Sequence, residues 1–177
     1  MSSFAERGEA RALTGADADT SGGFERPDPG RISLALTSLE TAVLDACGRE
    51  AEWPAQVAAG VYAGVGFAIA NPEVAGSLTL EAALDRDSLR RYERMVGRLV
   101  GFMQVRAPVA ARLPGSTDEA LVAGIVGLVG DHIRVGRIER LEQLRPELVL
   151  MTLLPYLGFA EAQRWANEVA ASWSADV

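Results

Sequence analysis

The chain has 177 residues, 49% of them hydrophobic and 6% aromatic, with a formal net charge of −7. That is room for one domain of ordinary size plus a tail, and its wealth of Ala, Leu, Val and Gly favours close-packed helices over a sheet. A negative chain is repelled as a whole by a phosphate backbone, and a single cysteine, Cys47, excludes an internal disulfide framework.

Residues 1–30 differ from the rest. Gly15, Ser21-Gly22-Gly23 and Pro27-Asp28-Pro29-Gly30 alternate with charges and few large apolar groups, which predicts a flexible tail with at most a short helix around Phe4 to Leu13. The helical domain is expected over residues 31–177. Ile32, Leu36, Leu39 and Val43 recur at spacings of three and four, predicting a first helix from Arg31 to near Gly48.

Pro54 suits the first turn of a second helix, because a proline there gives up no hydrogen bond. From Trp53 to Pro72 there is no charged residue. This approaches the length of a membrane span, yet Gln56, three glycines and the flanking Trp53-Pro54 and Asn71-Pro72 read as a buried helix of a soluble protein. No membrane association is expected. Asn71 is a candidate N-cap for a third helix carrying Val74, Leu78 and Leu84.

Asp85 is placed to cap a fourth helix, Arg86 to Arg106, with Leu89, Tyr92, Val96, Leu99 and Met103 inward and Arg90, Arg94 and Arg98 outward. Ser116 and Glu119 have capping-box spacing at the start of a fifth helix, which Gly136 is placed to end. Pro146 is expected to open a sixth helix that stops at Pro155-Tyr156-Leu157-Gly158, and a last helix runs from about Ala160 to Trp173. The fold class is all-α, a bundle of about seven helices.

Four stretches in order carry a family resemblance: Trp53-Pro54 to Asn71-Pro72, and Leu80-Glu81-Ala82 before a helix near Leu89. Glu119-Ala120-Leu121-Val122-Ala123-Gly124-Ile125-Val126-Gly127 and Leu153-Leu154-Pro155-Tyr156-Leu157-Gly158 follow. Over residues 31–172 the chain resembles the C-terminal, ligand-binding and dimerisation domain of TetR-family transcriptional regulators. The family's three-helix DNA-binding head has no match beyond Phe4-Ala5-Glu6-Arg7-Gly8, which resembles the end of the head's first helix.

The resemblance implies a homodimeric sensor linked to transcriptional regulation, with no DNA binding expected of this chain alone; a single cysteine and an N-terminus without a basic then apolar secretory pattern make the cytoplasm the expected compartment. The alternatives are a complete repressor whose head is missing from this chain, and a helical dimerisation module without a ligand. In the family, the last helices of two subunits form a four-helix interface. The corresponding residues here are Ala120, Gly124 and Gly127, a small-residue stripe, with Leu150 and Leu154. The same glycines could instead serve packing inside one subunit.

A mainly apolar ligand cavity is expected between the second, fourth and fifth helices. Its candidate lining is Tyr62 and Phe67, then Tyr92, Met95, Leu99, Phe102 and Met103, then Ile125 and His132. A Tyr hydroxyl or the His132 imidazole would orient the ligand. The alternative is that these side chains simply fill the core. The arginines of the fourth helix read as a solvated face rather than a DNA contact, since Asp85, Asp87 and Glu93 dilute them. Cys47 reads as a packed thiol. With no phosphate-binding loop, nucleophile elbow or histidine-rich spacing, neither enzymatic activity, a metal nor a cofactor is expected.

Overall fold

The structure, a computed structural model, describes residues 28–78, 85–107 and 113–174. These described residues form an all-α bundle of seven helices without a strand. They are α1 (Pro29–Arg49), α2 (Trp53–Ala70), α3 (Pro72–Leu78), α4 (Arg86–Arg106), α5 (Gly115–Arg134), α6 (Leu141–Leu157) and α7 (Phe159–Ser174). A single 3-10 turn, Ile138–Arg140, leads into α6. The short helix expected around Phe4 to Leu13, most of the expected tail, and Leu84 lie outside the described residues.

The helix ends follow local chemistry, with several departures from expectation. α1 opens two residues before Arg31, because the Asp28 carboxylate accepts the Arg31 N–H at 3.0 Å and Pro29 fills the first turn. Asp85 caps α4 as expected: its side chain accepts the N–H groups of Asp87 and Ser88 at 2.9 and 3.0 Å. The Ser88 hydroxyl, 2.6 Å away, contributes most to holding this carboxyl below its ordinary range.

Asn71 does not cap α3 with its side chain. Its amide donates back to the Phe67 carbonyl at 3.0 Å and closes α2 instead. The capping box at Ser116 does not form either, since α5 starts at Gly115 and Ser116 is already inside the first turn. The far end of α5 is a Schellman turn. Gly136, at φ +69°, donates to Ile133 at 3.0 Å and Arg137 to His132 at 2.8 Å.

α6 corrects the sequence reading most. It begins five residues before Pro146 and continues through Pro155 to Leu157. An internal proline costs about 3 kcal/mol, by a lost N–H bond and a clash with the preceding turn. Leu148, Val149, Leu153 and Tyr156 are all buried along α6. Each such burial contributes about 1.5–3 kcal/mol, enough together to outweigh two prolines. Gly158, at φ +76°, then turns the chain into α7.

α2 is the centre of the bundle: no residue from Trp53 to Ile69 is exposed. By length and composition it could cross a membrane, but half of it is buried within the fold. It packs closely against α1, α3, α6 and α7, while α4 and α5 pack on each other. Ala58, at 0% exposure, and Gly60 keep its surface thin where neighbours come close. A Cβ placed on Gly60 would stand 2.9 Å from Cys47 Sγ, whereas one on Gly64 meets only Val43 Cγ2 at 3.9 Å.

These two glycines make a matched test of the α1–α2 contact. Gly64→Ala is expected to hold or raise stability by up to about 1 kcal/mol, the helix-propensity gain. Gly60→Ala should fall about 1 kcal/mol or more below it, because Cys47 must shift. Denaturant midpoints at unchanged slope measure both.

Candidate functional site

The gap between α2 and the α4–α5 pair holds a cavity of about 170 Å³. Phe67, Tyr92, Met95, Leu99, Phe102, Met103 and Ile125 all line it. Each element places its residues by helical period: Tyr92, Met95, Leu99, Phe102 and Met103 lie three or four apart along one face of α4.

Two residues expected in this wall lie elsewhere. Tyr62, 4% exposed, packs with Trp53, Val149 and Leu153, and the Arg145 guanidinium sits 5.2 Å above its ring. Burial there pushes its hydroxyl pKa up. His132 sits in the last turn of α5, where its Nδ1 hydrogen-bonds the Leu128 carbonyl at 3.0 Å, within its own helix. The period of α5 carries Val122, Ile125, Val126 and Val129 to the cavity and leaves His132 beyond its end. The polar atoms of the lining therefore come from Cys47, Tyr92 and Thr152.

α1 and α6 contribute to the wall in ways not anticipated. Leu39, Val43 and Cys47 face the cavity from α1, and Cys47 extends the Ile32–Leu36–Leu39–Val43 stripe by one further turn. That spacing was a readable signal. Gly60 and Gly64 come from α2 and Thr152 from α6, with no comparable signal. The Thr152 hydroxyl donates to the Leu148 carbonyl at 2.7 Å. Burial raises the Cys47 thiol to about 11, so it stays protonated at neutral pH and behaves as a packed thiol. Among the described residues no Asp, Glu, Lys, Arg or His lines the cavity.

A buried polar cluster joining α4, α5 and α6 was not foreseen. Asp118, in the first turns of α5, has 0% exposure. It accepts the Tyr156 hydroxyl of α6 and, at 2.7 Å, the Gln104 amide of α4. Tyr156 also stacks edge-on against Trp53, ring centres 5.1 Å apart, and the Trp53 indole donates to the Met103 carbonyl at 3.2 Å. Burial first, then the bond to the Asp118 carboxylate, raises the Tyr156 hydroxyl pKa. In the sequence, Asp118 reads as an ordinary acid near a helix start and Tyr156 as part of a helix break.

No family model, curated protein or solved structure matches this chain.

The remaining candidates lie on the surface. Ala120, Gly124 and Gly127 share an exposed face of α5 with Ala123 and Leu128, and a Cβ on Gly124 or Gly127 would meet nothing within 4 Å. Leu154 of α6 is 40% exposed, while Leu150 is half-buried against the α2–α6–α7 cluster. Gly130, farther along α5, is buried. The arginines of α4 are mostly exposed, and Arg98 pairs with Glu40 of α1 at 2.5 Å. Among the described residues no group of three His, Cys, Asp or Glu side chains could hold a metal ion.

The Asp118 cluster gives a stability test. Tyr156→Phe keeps the ring and removes one donor from a buried carboxylate, so it should cost about 1–3 kcal/mol. Equilibrium unfolding of the two proteins in urea measures it; an unchanged midpoint would mean the hydroxyl carries no net weight there.

Proposed function

We propose that this chain is a TetR-like sensor domain that binds a small, largely apolar molecule among its helices and pairs with a second copy. The observation that carries the reading is the cavity between α2, α4 and α5, free of charged side chains among the described residues, a hollow in the part of the bundle that should otherwise be most tightly packed. The resemblance of residues 31–172 to the family's sensor half supports it independently. The implied location is the cytoplasm, and the implied role is in transcriptional regulation.

Pairing is supported by the exposed small and apolar face of α5. A glycine within a helix costs about 1 kcal/mol relative to alanine, and open space beside Gly124 and Gly127 gives no intramolecular return. Small side chains let a second helix approach closely, and a two-fold pairing would set this face against its own copy. A ligand-free dimerisation module is the second reading. It is favoured by the cavity volume, about 170 Å³ against roughly 300 Å³ at the low end of ordinary ligand sites.

Two measurements test the proposal. Sedimentation should give a dimer, and Gly127→Leu should weaken it by holding the α5 helices apart; a variant that stays a tight dimer would place the interface elsewhere. The chain alone, with its charge of −7, should show no sequence-specific operator binding at physiological salt. Specific binding that survives competition with non-specific DNA would overturn the sensor-only reading.

A further inference from the structure

We infer that the cavity takes a neutral molecule the size of a single substituted aromatic ring, and rejects its charged counterpart. This rests on the cavity being a ligand site. Its volume, about 170 Å³, falls below the drug-sized range and close to that of an apolar protein cavity of about 150 Å³ that binds benzene.

The lining sets the polarity. Among the described residues no ionisable acid or base other than the protonated Cys47 thiol and Tyr92 lines the space, and the guanidinium of Arg106 lies outside the lining, over the Phe102 ring, so a carboxylate or ammonium group would enter without a counter-charge in contact with it. Desolvating an unpaired charge costs far more than this much apolar contact returns. Thr152 already commits its hydroxyl proton to Leu148, which leaves an acceptor but not that proton for a guest.

The lining also favours a ring. Met95 and Met103 bring two thioethers, and Phe102 and Tyr92 two aromatic faces, all from one side of α4. Sulfur and aromatic edges both make favourable contacts with a guest ring, and methionine adapts to its outline. Across the space Gly64 offers no side chain; a Cβ there would have 3.9 Å to its nearest neighbour, Val43. Gly64 thus sets the depth of the cavity.

Methyl NMR of the full chain, with labelled methionines, tests this with toluene, benzoate and naphthalene. Toluene should shift the Met95 and Met103 methyls saturably, and benzoate at neutral pH should not. Gly64→Leu should weaken toluene binding about tenfold or more by filling the space, and the milder Gly64→Ala severalfold, which keeps the test available if the leucine variant misfolds. Benzoate binding as tightly as toluene would overturn the charge selection. Naphthalene binding without toluene would overturn the size assignment while leaving a ligand site in place. If none of the three binds, both this inference and the sensor reading fail.

Discussion

A helix of eighteen residues without a charge has no face to offer water, and α2 forces the rest of the bundle to assemble around it. Its neighbours solve the problem unequally. On the α1, α6 and α7 sides, small residues bring backbones close: Ala58 against the α6–α7 cluster, Gly60 against Cys47. Toward α4 and α5 the same helix presents Gly64, Val65 and Ala68 beside the larger Phe67, and the short side chains leave space before those opposite. The cavity is the residue of that mismatch.

One rigid corner stands next to this loose region. Asp118, Gln104 and Tyr156 join α4, α5 and α6, and the Trp53 indole ties α2 to the end of α4. A buried carboxylate is costly unless its lone pairs are used, and here two donors use them. The bonds also hold the α4–α5 pair to α6 at one end. Away from that end, apolar side chains of α2, α4 and α5 surround the cavity.

The long helices were legible because their signals are local. The stripe of α1, the apolar run of α2, the Asp85 cap and the Gly136 turn each state a rule within a few residues. α6 was misjudged for the opposite reason: Pro146 and Pro155 are local stop signals overruled by burial that only tertiary packing supplies. The α4 wall of the cavity follows from period alone. Tyr62 was misplaced because an all-apolar helix carries no period to say which neighbour each side chain meets; it turned toward Arg145. The Asp118 cluster was invisible because its three members are 14 and 38 residues apart in sequence.

α5 is where the two candidate sites meet. Val122, Ile125, Val126 and Val129 form part of the cavity wall, and Ala120, Gly124 and Gly127 look outward from the same backbone. A helix moves as a unit far more readily than it deforms, since its hydrogen bonds fix each residue to the next turn. Any displacement of α5 that widened the cavity would carry its outer face by a comparable distance. Helix pairing through glycine depends on close approach, so that face is the part of the surface most sensitive to such a shift. The Asp118 bonds hold the first turns of α5, and a Schellman turn at Gly136 ends it. Val129 and Gly130 are buried and Ile133 packs into the same core, so α5 is held along its C-terminal half as well as at Asp118.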